Sequence, residues 1–205
     1  GDRAEDILTA HLQASSNFRG IRSAFPADLN ETFLTGFSLL EKYNLAYDNW
    51  SPDFTRLPRL ADLANKNPGV TVIVNHLGGK IDPSADEEEL SAWRGAIDSV
   101  AACSNTVMKL GGAQMRVGDW EPPYHMHKAD SPWDSDKFLS TLLPRYQYAF
   151  EKFGPDRCMF ESNFPVDKDC ISYRTLWNLF KKMATKLGLS ESEKMSVFSG
   201  TAARA

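Results

Sequence analysis

The feature that most limits what this chain can fold into is a short β-branched run, Val70-Thr71-Val72-Ile73-Val74. Pro68-Gly69 precedes it and Gly78-Gly79 closes it. Val70, Val72, Ile73 and Val74 show no alternation of apolar and polar residues, so the run reads as a strand buried on both faces. Such strands belong to parallel sheets covered by helices. The run empties into Asn75-His76. A polar pair at the C-terminal end of a buried parallel strand is where α/β proteins keep their sites. By itself, His76 could equally cap the strand through a loop carbonyl.

The same unit recurs along the chain. Residues 4–14 read as the tail of an amphipathic helix with Ile7, Leu8 and Leu12 on one side. Strands are expected near 18–22, 45–50, 70–75, 106–110 and 157–161. Helices between them carry apolar stripes: Phe33, Phe37 and Leu40 after a cap at Asp28 or Asn30, then Leu57, Leu60, Ala61 and Ala64 after Ser51 or Asp53. Acidic Asp86–Glu89 opens a helix with Leu90, Trp93, Ile97 and Val100 on one face. Phe138 to Phe153 form another, with Pro144 as an expected kink or break. Tyr173 to Leu187 make the best amphipathic pattern, stopped by Gly188, and Ser190 with Glu193 gives a capping box for a last helix. Residues 113–134 lack periodicity, and a loop of that length inside a compact domain is usually a lid or binding loop.

Five strand–helix alternations predict parallel βα units in one α/β domain over residues 1–205. An open doubly wound sheet and part of a (β/α)8 barrel both fit. No strand is followed by GxGxxG or GxxxxGK[ST], the fingerprints of the first layout. The barrel gains from polar groups expected at each outlet: Arg22, Asp48 or Trp50, His76, Lys109 and Asn163. In that layout the helices cover one outer face, while two open edges and an uncovered inner face invite association, so a homo-oligomer or a longer chain is expected.

The net charge of −4 comes with no basic stripe, which speaks against nucleic acid and anionic membranes as partners. No apolar run reaches the roughly 18–20 residues of a membrane span. The start, Gly1-Asp2-Arg3-Ala4-Glu5-Asp6, is acidic and unlike a signal peptide. Three cysteines without CxxC spacing suggest reduced thiols and a cytoplasmic setting.

Five segments then agree with one pattern: Phe18-Arg19-Gly20-Ile21-Arg22, Val74-Asn75-His76-Leu77-Gly78, Met108-Lys109-Leu110-Gly111-Gly112, Arg157 to Asp167, and Gly200-Thr201-Ala202-Ala203-Arg204. In order and over nearly the whole chain, they resemble the amidohydrolase-related family. These TIM-barrel hydrolases include dicarboxylate lactonases and related decarboxylases. The resemblance implies that this chain carries barrel strands four to eight, with both ends cut. At 205 residues it is short of the about 250 of a complete barrel.

Two departures bear on the chemistry the resemblance implies. The family's first strand holds a metal-binding His-x-His pair. Here the one His-x-His, His125-Met126-His127, falls in the long loop, so no metal ligand is assigned in this chain. Zinc or manganese in the full-length protein stays open. The family's eighth-strand motif is Ser-Asp-Trp-Pro, with the Asp as general base and metal ligand. This chain reads Ser162-Asn163-Phe164-Pro165, and Asn163 cannot take a proton near neutral pH. Asp167 and His125 are then the candidates for the base, or the chemistry differs.

The candidate site is therefore His76, Asn163, Asp167 and His125 for catalysis, with Arg22, Trp50, Lys109 and Tyr124 for binding a small carboxylated substrate. Arg22 is either a carboxylate anchor or a structural ion pair. Lys109 faces the site or pairs with Glu161 in the barrel wall. Cys158 reads as core. The expected activity is hydrolysis of a lactone or another C–O or C–N bond. The competing expectation is a relic or fragment of such a barrel that serves as a binding or structural module.

Overall fold

The computed structural model describes residues 3–81, 85–113 and 133–205. Its centre is a five-stranded parallel sheet in the order β1-β2-β3-β4-β5: Gly20–Ala24, Ala46–Trp50, Val72–Val74, Thr106–Leu110 and Cys158–Phe160. Every neighbouring pair is parallel and consecutive in sequence. Right-handed crossovers that always step the same way place all the helices on one face. This is the barrel arrangement expected from the sequence, not the doubly wound one.

The helices are α1 (Ala4–Ala14), α2 (Glu31–Lys42), α3 (Leu57–Lys66), α4 (Glu87–Ala101), α5 (Ser135–Phe153), α6 (Tyr173–Lys186), α7 (Glu191–Met195) and α8 (Thr201–Arg204). Short polar side chains start α2, α4, α5, α6 and α7. Asn30 accepts from Phe33 N–H, Asp86 from Glu89 N–H and Ser172 from Thr175 N–H, and Ser190 with Glu193 closes a full capping box. Pro144 lies inside α5 without breaking it. The break that a proline can cause does not occur: buried Leu142 and Tyr146 hold both halves to the core, offsetting the roughly 3 kcal/mol that an interior proline costs.

One face of the sheet meets the helices. Val72, Val74, Met108, Leu110 and Cys158 are wholly buried there. Tyr47 meets the rings of Phe33 and Phe37 edge-on, and Phe160 stacks on Phe180 at 4.5 Å. The three cysteines are free and buried. Among the described residues, no helix is long and apolar enough to cross a membrane. The opposite face carries Arg22, Asp48, Ile73, Lys109 and Met159, which line a depression of about 340 Å³ with Ala202 and Ala205 at its foot.

The first strand starts two residues later than the pattern suggested, at Gly20. Arg22 therefore sits mid-strand, in register with Asp48, and not at the outlet. Gly20 fixes this register: a Cβ there would lie 2.5 Å from the Ala46 carbonyl oxygen.

Candidate active site

The strand β3 stops at Val74, and the chain turns at once. His76 and Leu77 take left-handed backbone (φ 51° and 55°), followed by Gly78 at 83°. Each non-glycine residue in that region costs on the order of 1 kcal/mol, so other contacts must hold the turn. The Trp93 indole N–H donates to the Leu77 carbonyl at 3.0 Å. The Asn75 side chain donates to the Asn49 carbonyl at 2.7 Å and to the Asp48 carboxylate. The turn lays the His76 ring over the C-terminal end of the sheet, edge to face with Trp50 at 4.9 Å. Gly112 makes this possible: its φ is 68°, and a Cβ there would lie 2.5 Å from His76 Nδ1.

Both ring nitrogens of His76 are engaged. Nδ1 lies 2.5 Å from Glu161 Oε1, and Nε2 lies 3.5 Å from Arg22 Nη2. The second contact is long, but its sense is fixed. A guanidinium only donates, so Nε2 accepts and the proton of the neutral ring is on Nδ1, facing the carboxylate. The imidazole is 3% exposed.

Glu161 follows β5 directly. Its second oxygen, Oε2, accepts from Asn163 N–H at 2.7 Å. Asn163 has φ 50° and precedes the cis Phe164–Pro165 bond. Its side-chain amide donates to Asp167 Oδ1 at 2.8 Å. Asp167 is wholly buried, and among the described residues its Oδ2 has no hydrogen-bond partner. Burial pushes its carboxyl up to about 7; the Asn163 amide pulls the other way, and the Glu161 charge adds to the rise. The Tyr146 phenol is buried in the same region and held well above its usual range, by burial first and then by the charges of Asp167 and Glu161.

On the concave face Lys109 Nζ lies 2.8 Å from Asp48 Oδ2, with both side chains about one-fifth exposed (19% each). Lys109 points into the concave depression, and its ion-pair partner there is Asp48 and not Glu161. Asp48, itself held by the Asn75 amide, thus occupies Lys109. Arg22, 4.0 Å from Asp48 and 50% exposed, faces the depression, with Arg19 also in its lining.

The structure therefore brings together His76, Arg22, Trp50, Asn163 and Asp167, and sets Lys109 on the floor beside them. Tyr124 and His125, with Trp120 and His127 of the same loop, lie outside the described residues. Sequence reading missed Glu161 as the partner of His76. The available signal was an acid placed directly at the outlet of the apolar run Cys158-Met159-Phe160. Asp48, between Tyr47 and Asn49 in β2, was legible only as one of two outlet groups.

The donor set decides whether a divalent metal fits here. Tight zinc sites need three or four donors. Among the described residues no three His, Cys, Asp or Glu side chains converge as such a set. His76 Nδ1 is taken by Glu161, and an ion at Nε2 would sit against the Arg22 guanidinium. The described residues do not build a metal site, and no step below runs through one.

Five parallel strands with helices on one face and a polar cluster over their C-terminal ends define an arc of a (β/α) barrel with a rim site. Comparison with known proteins extends this. The amidohydrolase family model matches residues 14–205, and the chain belongs to that family. An uncharacterized protein of Sinorhizobium fredii is 34% identical over 97% of this chain and 63% of its own length. The L-fucono-1,5-lactonase of Burkholderia multivorans is 27% identical over 84% of this chain and 54% of its own. The chain thus spans less than two-thirds of the curated relatives it matches. An amidohydrolase crystal structure from Burkholderia multivorans with bound zinc superposes with a TM-score of 0.75 at 24% identity, covering 96% of this chain and 68% of that one. It supports the barrel fold.

Proposed function

We propose that the full protein hydrolyses a lactone or similar ester of a small carboxylated substrate, with His76 as general base. The observation that carries this reading is the His76–Glu161 pair. It holds the ring proton on Nδ1 and presents the Nε2 lone pair beside the Arg22 cation. A carboxylate on Arg22 places the neighbouring carbonyl near Nε2 by a charge-assisted, bidentate contact. Nε2 takes a proton from water, and the resulting hydroxide adds to the carbonyl carbon. The imidazolium so formed is stabilised by Glu161. As the tetrahedral adduct collapses, the ring C–O bond breaks, and the imidazolium returns its proton to the leaving alkoxide. The product is the open hydroxy acid, and the base is regenerated. The resemblance to L-fucono-1,5-lactonase supports the choice of a lactone.

The test is proton release by the full-length protein on sugar lactones and dicarboxylate lactones, with and without chelator. Ring opening of at least one class, lost in His76→Ala with the fold retained, is the expected result. Release of carbon dioxide without lactone opening would place the protein with decarboxylases instead. Binding of carboxylated lactones without turnover would favour the module without catalysis.

A further inference from the structure

We propose that Asp167 is a positioning residue for the His76–Glu161 pair, acting through Asn163; the inference rests on the reading of His76 as base. Glu161 can serve the imidazole only while its carboxylate is held in one orientation. Among the described residues, the contact that fixes Oε2 is the backbone N–H of Asn163. That N–H is aimed by a residue in left-handed backbone, a conformation that costs an asparagine on the order of 1 kcal/mol. Two bonds close the turn that imposes it. Asp167 N–H donates to the Asn163 carbonyl at 3.2 Å, and the Asn163 amide donates to Asp167 Oδ1 at 2.8 Å.

Among the described residues the Asp167 carboxyl makes no other hydrogen bond. It is fully buried and lines neither the depression nor the small recess beside His76. Its free oxygen meets no hydrogen-bond partner among the described residues. A carboxyl is expensive to keep in such a place, as its rise to about 7 records. The contact that gives it a purpose is the one that orients Asn163. A path of three hydrogen bonds thus runs from Asp167 Oδ1 to His76 Nδ1, by way of the Asn163 amide, the Asn163 backbone N–H and the two oxygens of Glu161.

The experiment follows the His76 ring directly, in full-length protein labelled with ¹⁵N-histidine and assigned by the signal lost in His76→Gln. The wild type is expected to show the neutral Nδ1–H form. Asp167→Ala removes the acceptor, and Asn163→Ala removes the amide while keeping the N–H and the cost of φ 50° that the Asp167 contact offsets. Both are expected to give a mixture of ring tautomers and roughly a tenfold or larger fall in kcat at unchanged KM, the scale of losing an outer partner of a functional histidine. Asp167→Asn keeps an acceptor and is expected to retain both the Nδ1–H form and kcat. A folded Asp167→Ala protein with an unchanged ring spectrum and kcat would overturn the proposal, even if its Tm fell. So would an Asp167→Asn protein as impaired as the alanine variant. If Asp167→Ala does not fold, an unchanged ring in Asn163→Ala is equally decisive against it. A wild type lacking the Nδ1–H form would defeat the base assignment itself, and this proposal with it.

Discussion

Asp167→Asn also makes a prediction about stability that depends on pH. The folded carboxyl titrates at about 7 against an ordinary 3.8. Three units, at 1.36 kcal/mol each, amount to about 4 kcal/mol. The sign follows from proton counting. Between pH 4 and 7 the folded protein holds a proton on Asp167 that the unfolded chain has released. Stability is therefore lost as pH rises through this window; the group carries no penalty below about 4 and the full penalty above 7. Asparagine has the same shape and does not titrate. Urea unfolding of the wild type and variant should differ by only about 1 kcal/mol near pH 4.5. The gap should then widen in favour of the variant, up to about 4 kcal/mol at pH 8. Acids far from Asp167 titrate in both proteins and cancel in the difference. A gap that stays constant from pH 4.5 to 8 would refute the reasoning. A gap that widens against the variant would mean that the charged carboxylate is stabilised by a partner.

Three further outcomes are expected. Glu161→Gln removes the anion behind His76 and should lower kcat by about a hundredfold, within the range of general base catalysis, with KM little changed in steady-state kinetics. Arg22→Ala should instead raise KM for carboxylated substrates by at least roughly tenfold, from loss of a charge-assisted contact of about 1.5–3 kcal/mol, while uncharged lactones are unaffected. Gly112→Ala places a methyl 2.5 Å from His76 Nδ1 at φ 68°. It should cost about 1–3 kcal/mol in denaturant unfolding and displace the ring, so that kcat falls by more than the stability loss explains.

Most of the fold was legible because it is local. Each strand and helix is written in a window of about ten residues, and parallel order follows from the alternation and the handedness of crossovers. Departures occurred where tertiary contacts override the window. Gly20 sets the register of β1 against Ala46 and moves Arg22 to mid-strand, and core packing carries α5 through Pro144.

The site was half legible for the same reason. His76 and Asn163 end their strands and could be marked one at a time, whereas the bond that gives His76 its chemistry joins positions 85 residues apart. The strands β3 and β5 are not neighbours; β4 lies between them. A side chain at the outlet of β4 would stand in the gap, but that outlet is Gly111-Gly112. A Cβ on Gly111 would lie 2.7 Å from Glu161 Cδ, as one on Gly112 would strike His76. The two missing side chains are the space in which the pair forms. A double glycine directly after a buried parallel strand therefore carries information about its neighbours: the groups flanking that strand meet across it. Read this way, Leu110-Gly111-Gly112 points from His76 on one side to the first polar residue after β5 on the other, which is Glu161.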